Sequence, residues 1–205
     1  MRLLSRFAVI AALTTALAGC GGILGGGGPP PTLYTLTSVR DFPPDLPRLD
    51  RQLLIEMPEA SASVDTRKIA LRRNTLNIDY FADVLWTDNI PPLVQTFVVE
   101  SFERSKTLKA VARETLSLHG DFVLRLELRH FEADYGNSQP LPTIRVEMAL
   151  TLVRMSDRAI VGTRDVVTTA KPAANDVPVI VAAFDQAFHA AVLEAVGWTL
   201  EEARG

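Results

Sequence analysis

The middle of the chain reads Phe122-Val-Leu-Arg-Leu-Glu-Leu-Arg-His-Phe131, with an apolar side chain at almost every second position. Charged side chains occupy the positions between them, so an extended segment here has one apolar face and one polar face. This period-two pattern predicts a β-strand that packs one face on a core and exposes the other to solvent. The segment 144–153 repeats the pattern, and we expect the two long strands to pair antiparallel.

Shorter extended segments and two helical segments surround this pair. The predicted short strands are 33–39, 53–57, 68–73, 75–80 and 159–169. Apolar side chains recur at helical spacing over 92–106 and over 177–202, and Asn175 or Asp176 can cap the second helix. Two main helices and six or seven mostly antiparallel strands predict an α+β two-layer sandwich, formed by residues 32–205 as one domain.

The amino-terminal residues resemble a bacterial lipoprotein signal peptide. Arg2 and Arg6 make a short positive start, and the uncharged run that follows is shorter than the roughly 20 residues needed to span a bilayer. The run ends in Leu17-Ala18-Gly19-Cys20, which resembles the lipobox that lipoprotein signal peptidase recognises. We therefore expect residues 1–19 to be removed and Cys20, the only cysteine, to carry the lipid. The alternative is an ordinary secretory signal with an incidental cysteine.

Residues 20–31 are predicted to form a tether between the lipid and the domain. Six glycines lie within 21–28, and Pro29-Pro30-Pro31 follows them. The eleven residues after Cys20 reach at most about 35–40 Å, so the body is expected to work close to the membrane surface. Residue 21 is Gly rather than the Asp that resembles an inner-membrane retention signal, which favours the periplasmic face of the outer membrane.

The sequence carries no recognisable catalytic or metal-binding motif. His119, His130 and His189 are too far apart in sequence to form a metal-binding pair, and no free thiol remains once Cys20 is acylated. There is no G-x-S-x-G, H-E-x-x-H or P-loop pattern. A net charge of −3 argues against nucleic acid as a partner. We therefore predict a non-enzymatic protein without cofactor or metal, in which His130 and His189 are solvated.

Four side chains are candidate contacts for a partner. Tyr80 and Phe81 form an aromatic pair that is either exposed for a protein or lipid partner or packed inside. The nearby Trp86 is expected to pack in the core. Leu193 and Val196 are predicted to project from the polar face of the long helix. They are either tolerated apolar side chains on that face or a surface for a partner or for self-association.

Several short segments follow one another in a specific order after the lipobox. They are Leu33-Tyr34-Thr35-Leu36, Leu54-Ile55-Glu56-Met57-Pro58, Arg72-Arg73-Asn74-Thr75-Leu76, Asp79-Tyr80-Phe81-Ala82 and Leu85-Trp86-Thr87-Asp88. The first predicted helix comes directly after them. This ordered set resembles the ABC-type transport auxiliary lipoprotein family, the PqiC-like or YmbA-like group. The doubled Pro91-Pro92, where the family pattern has a single proline, is a small departure.

The resemblance implies an accessory role rather than a reaction. Members of the family resemble parts of MCE-type lipid transport systems, in which an ABC ATPase and permease work with an MCE-domain protein. The resemblance implies that this chain docks the MCE-domain protein from the outer membrane, as a homo-oligomer, and hydrolyses no ATP. Two alternatives stay open: a regulatory lipoprotein that activates a cell-wall synthesis enzyme, and a factor that assists outer-membrane assembly by protein contact.

Overall fold

The computed structural model describes residues 29–115, 118–136 and 139–205 of the 205-residue chain. The predicted signal peptide and the predicted lipidation site, Cys20, lie outside the described residues and stay predictions. The described strands and helices all fall within Thr32–Gly205, which makes one compact unit.

Nine strands and two helices are present among the described residues of this unit. The strands are β1 (Thr32–Tyr34), β2 (Leu49–Ile55), β3 (Glu59–Ala60), β4 (Lys68–Asn74), β5 (Asn77–Trp86), β6 (Leu108–Arg113), β7 (Phe122–Asp134), β8 (Thr143–Arg154) and β9 (Ala159–Ala170). The helices are α1 (Ile90–Ser105), between β5 and β6, and α2 (Val177–Glu202), after β9. These elements confirm the predicted α+β class with two main helices, and the predicted bounds of the long helix match those of α2.

β7 is the central strand of the sheet. It pairs antiparallel with β8 along nearly its whole length, and β8 pairs antiparallel with β9. The predicted antiparallel pairing of the two long strands is therefore confirmed. Leu124, Leu126 and Leu128 on one face of β7 are at most 3% exposed, whereas Arg125 and Glu127 on the other face are exposed. The alternation in the sequence thus corresponds to a buried face and a solvated face.

The other edge of β7 is shared by three strands in succession. β2, β3 and β4 each pair parallel with a different part of β7, and Pro58 lies at the break between β2 and β3. β6 extends the sheet beside β2, while β5 and then β1 extend it beside β4. The sheet is mixed: its longest pairings are antiparallel, and shorter parallel pairings, for which the sequence gives no signal, connect the amino-terminal half to β7.

Both helices pack on one face of the sheet and contribute to a single hydrophobic core. α1 begins with Pro91 and Pro92 in its first turn, where a missing N–H costs no helical hydrogen bond. Trp86, at the end of β5, is 1% exposed. Its ring meets those of Phe131 and Phe184 edge to face, at centroid distances of 5.9 and 5.5 Å. The prediction that Trp86 packs in the core is confirmed.

The segment that follows β1, residues 35–39, crosses the helices without forming a strand, and we call it the strap. Thr37 bonds to side chains of α2. The backbone N–H of Val39 donates to Ser101 Oγ on α1 at 3.0 Å. The predicted strand over 33–39 therefore ends early, because the strap's backbone bonds to helix side chains rather than to a neighbouring strand.

Candidate interaction surfaces

The face of β7, β8 and β9 that the helices leave uncovered carries paired charges, and we call it the open face. Arg125 Nε lies 2.7 Å from Glu56 Oε2. Arg129 Nη1 lies 2.9 Å from Asp165 Oδ1, and its Nε lies 3.4 Å from Glu127. Exposed ion pairs of this kind contribute little to the stability of the fold. Their side chains can therefore form ion pairs with another protein with little loss of stability.

A second charged cluster connects β4, β7 and β8 and is centred on Glu132, which is only 3% exposed. The Arg72 guanidinium donates to both carboxylate oxygens of Glu132, at 2.6 and 3.2 Å. This hydrogen bond to Glu132 raises the pKa of Arg72 above its ordinary value, so it favours the charged guanidinium. Arg145 and Glu147 on β8 form a further pair at 2.5 Å. The cluster therefore ties three strands together at one end of the sheet.

His130 is part of this cluster rather than solvated, which corrects the prediction from the sequence. Its Nδ1 lies 3.0 Å from Glu132 Oε1, and its Nε2 lies 4.0 Å from Glu147 Oε2. Its side chain is 30% exposed. Glu132 therefore fixes one nitrogen of the ring, and the carboxylate of Glu147 lies near the other.

Thr37 of the strap is held by Asp185 and His189 of α2. One oxygen of Asp185 accepts the backbone N–H of Thr37 and the other accepts its hydroxyl, both at 2.7 Å. His189 Nε2 lies 3.0 Å from the Thr37 carbonyl oxygen and 2.9 Å from Oγ1. His189 is thus half-buried, not solvated as predicted.

A hydroxyl, an imidazole and a carboxylate in contact invite comparison with a nucleophilic triad, but the geometry is different. A carbonyl oxygen can only accept a hydrogen bond, so the contact with Thr37 requires a proton on His189 Nε2. That nitrogen therefore cannot take the proton of the Thr37 hydroxyl, which donates to Asp185 instead. The three groups form a polar attachment of the strap to α2, not a catalytic arrangement.

The two candidate aromatic contacts on β5 are both half-buried. The Tyr80 hydroxyl lies 3.4 Å from the Ser63 carbonyl oxygen, and Lys68 Nζ lies 5.1 Å from the centre of its ring. Phe81 packs against the edge of the core. Each therefore has intramolecular contacts, and contact of either with a partner stays a prediction.

The predicted apolar pair on the polar face of α2 does not exist as an exposed surface. Val196 is 0% exposed and belongs to the core, while Leu193 is half-buried and packs against it. The prediction is wrong for Val196 because α2 packs on β8 and β9, contacts α1 and is crossed by the strap. Val196 is therefore not accessible to a partner in this fold. Contact of the half-buried Leu193 with a partner stays a prediction.

Neither a metal centre nor an accessible membrane helix emerges from the described ranges. Over 29–115, 118–136 and 139–205, no group of three or more His, Cys, Asp or Glu side chains could hold a metal ion. Within the same ranges one helix, α2, is long and apolar enough to cross a membrane. More than half of its most apolar window is buried within the fold, as is typical of a core helix.

Comparison with known proteins identifies a family and solved structures of similar fold. Residues 34–196 match the model of a family described as the ABC-type transport auxiliary lipoprotein component. The crystal structure of protein XCC0632 from Xanthomonas campestris is similar, with a TM-score of 0.79 and 29% identity over 84% of this chain and 97% of that one. Protein CT253 from Chlamydia trachomatis, at 8% identity and a TM-score of 0.50, covers 73% of this chain and 98% of its own and shares the fold alone.

An uncharacterized protein of Bradyrhizobium diazoefficiens is 33% identical over 188 residues. The match covers 90% of this chain and 49% of that protein, so the chain spans about half the length of this relative. The likeness therefore concerns the part of the relative that this chain matches and not the remainder of the longer protein.

Proposed function

The chain belongs to the family of ABC-type transport auxiliary lipoprotein components, and we propose that it is a non-catalytic accessory subunit of an MCE-type lipid transport system. In this proposal the lipid on Cys20 holds the protein at the outer membrane, and the body docks the MCE-domain protein in the periplasm. The match of residues 34–196 to the family carries the proposal, because it includes all but the edges of the folded body.

The predicted anchor supports a docking role on physical grounds. An eleven-residue tether restricts the body to a thin layer next to the membrane, within about 40 Å of the lipid. Confinement in this layer raises the effective concentration of the body for a partner that reaches the same membrane. A weak docking contact is then sufficient for assembly, without a large apolar interface.

We propose that the open face is the docking surface for the MCE-domain protein. The open face exposes both positive and negative side chains, including Arg125, Arg129 and Asp165. It therefore suits a partner protein whose polar surface can form new ion pairs with them. Charge reversal tests this assignment. Arg129→Glu, which also places a negative charge beside Asp165, is expected to weaken recovery of the partner. Arg104→Glu, at a similarly exposed arginine on α1, is the matched control.

Cross-linking in membranes followed by purification of the lipoprotein tests the function itself. We expect to recover an MCE-domain protein together with its ABC transporter subunits. Recovery of a penicillin-binding protein or of an outer-membrane barrel in its place would reject the proposal in favour of the cell-wall or assembly role.

Cys20→Ala is expected to abolish labelling by a fatty-acid analogue, and persistent labelling would refute lipidation at this residue.

A further inference from the structure

The chain enters the domain at the end of the sheet that carries the turn between β4 and β5, and we call this end the turn end. β1 is parallel to β5, with Thr32 beside Val84. The chain that leads into Thr32 therefore arrives from the side on which β5 begins, at Asn77. β4 and β5 pair antiparallel and β4 is parallel to β7, so the ends of β4 and β7 lie here too.

The turn end presents the most exposed large apolar side chain of the described residues. Leu76, in the turn between β4 and β5, is 91% exposed. The turn itself is fixed, because Asn74 Oδ1 accepts the backbone N–H groups of Leu76 and Asn77 at 2.9 and 3.1 Å. A leucine held in solvent by an ordered turn is a preformed apolar projection, not a side chain on a loose loop.

Other side chains at the turn end have the character of a membrane-interface surface. Leu141, two residues before β8 begins, is 40% exposed. Lys171 directly follows β9 and is exposed, and Arg73, next to the turn, is 66% exposed. Its guanidinium lies 3.9 Å from Asp79 and 5.9 Å from the centre of the Tyr135 ring, and its side chain still reaches solvent. Apolar projections beside lysine and arginine are typical of protein surfaces that insert shallowly among lipid headgroups.

The length of the tether places a bilayer within reach of this end. Because β5 bulges opposite β4, the stretch from Val84, the partner of Thr32, back to Asn77 matches about five residues of β4, or about 17 Å at about 3.3 Å per residue. The eleven residues between Cys20 and Thr32 span at most about 35–40 Å. The tether can therefore pass the turn and reach a membrane beyond it, but it keeps that membrane close to Leu76.

We propose that the turn end rests on the bilayer that holds the protein's own anchor, with Leu76 inserted into the interface between headgroups and acyl chains. This inference rests on the lipid anchor of the proposed function. It orients the body: the β8–β9 turn at the opposite end of the sheet, with Ile160 beside it, faces away from the membrane. The open face is then roughly perpendicular to the membrane surface and remains accessible for the docking proposed above.

Site-specific fluorescence in vesicles tests the orientation. The full-length lipidated protein is placed in vesicles of phosphatidylethanolamine and phosphatidylglycerol, with and without brominated acyl chains. Because Cys20 is acylated, Leu76→Cys supplies a single free thiol for an environment-sensitive dye. Ile160→Cys is the matched control, since this exposed apolar residue (64%) lies at the opposite end of the sheet. We expect a blue shift and loss of emission for the dye at 76, and neither change for the dye at 160.

Several results would overturn the inference. Equal quenching at both positions, or none at 76, would show that the turn end does not meet the bilayer. Shielding of the dye at 76 only after an MCE-domain protein is added would assign Leu76 to a protein interface. Failure of the anchor is detected separately: the unsubstituted chain would then take up dye at Cys20 and would not float with the vesicles.

Discussion

The guanidinium of Arg72 on β4 donates two hydrogen bonds to the carboxylate of Glu132 on β7, at 2.6 and 3.2 Å. The Glu132 side chain is 4% exposed and that of Arg72 is 18% exposed. β4 and β7 pair over only three residues, so this contact lies where the backbone ladder between them is short. Because few backbone hydrogen bonds join β4 and β7, their association depends strongly on both side chains of this ion pair.

Removing Arg72 is therefore expected to destabilise the fold. Arg72→Ala leaves the Glu132 carboxylate buried with only His130 beside it, and we expect a loss of about 3 kcal/mol in the free energy of unfolding. Arg73→Ala, which removes an arginine that is 66% exposed, is expected to cost less than about 1 kcal/mol. Urea denaturation of the two variants measures the difference in the free energy of unfolding. Equal losses would show that the buried pair contributes no more to stability than an exposed arginine does.

The attachment of the strap to α2 is expected to contribute measurably to local stability. Asp185→Ala removes the acceptors of both the N–H and the hydroxyl of Thr37, and we expect a loss of about 1–3 kcal/mol. Amide hydrogen exchange should accelerate at Thr37 before it accelerates in β7, because the strap opens separately. Gln186→Ala, at an exposed neighbouring position, is the control and should leave the exchange of Thr37 unchanged.

The burial of Val196 contrasts with the exposure of Ala190 on the same helix. Val196→Glu places a charge without a partner at a position that is 0% exposed, and we expect a loss of about 3–5 kcal/mol or failure to fold. Ala190→Glu, on the exposed side of the same helix, should leave the thermal midpoint nearly unchanged. A stable Val196→Glu variant with altered assembly would instead restore the interpretation of this side chain as a surface contact.

Tyr135 is expected to make stability depend on pH above about 10. Burial raises the pKa of its phenol above the ordinary value of 10.0, and the phenol donates to Asn175 Oδ1 at 2.7 Å. The unfolded chain then loses this proton at a lower pH than the folded chain does. Stability from the neutral phenol is complete below pH 10.0 and is lost as pH rises through the folded-state pKa. Urea denaturation from pH 9 to 11 should show a shallower decline for Tyr135→Phe than for the unsubstituted chain.

The elements predicted from the sequence are those whose pattern is local. The alternation over 122–131 and 144–153 and the helical spacing over 177–202 each specify an element without reference to the rest of the chain. The parallel pairings of β2, β3 and β4 with β7 could not be predicted in this way, because they join segments tens of residues apart. β6 was missed because Leu108–Arg113 has no strict alternation of apolar and polar residues.

Errors at the candidate sites have a common cause. Helical spacing alone places His189 and Val196 on the polar face of α2, and this spacing gives only the side opposite the main apolar stripe. The strap and α1 cover further parts of α2, and no periodic pattern within the helix records their presence. The sequence predicts Leu76 inside the strand 75–80, whereas the structure places it in the turn between β4 and β5. Its exposure could be known only from the fold.

The course of β1 and the strap has a mechanical consequence. A load applied at the amino terminus acts along β1, parallel to β5, so the hydrogen bonds of Thr32–Tyr34 are strained together in shear rather than broken one at a time. Beyond them the load meets Thr37 and Val39, each fastened to a different helix. Tension applied at the amino terminus is thereby distributed over the sheet edge and both helices before it can reach β7.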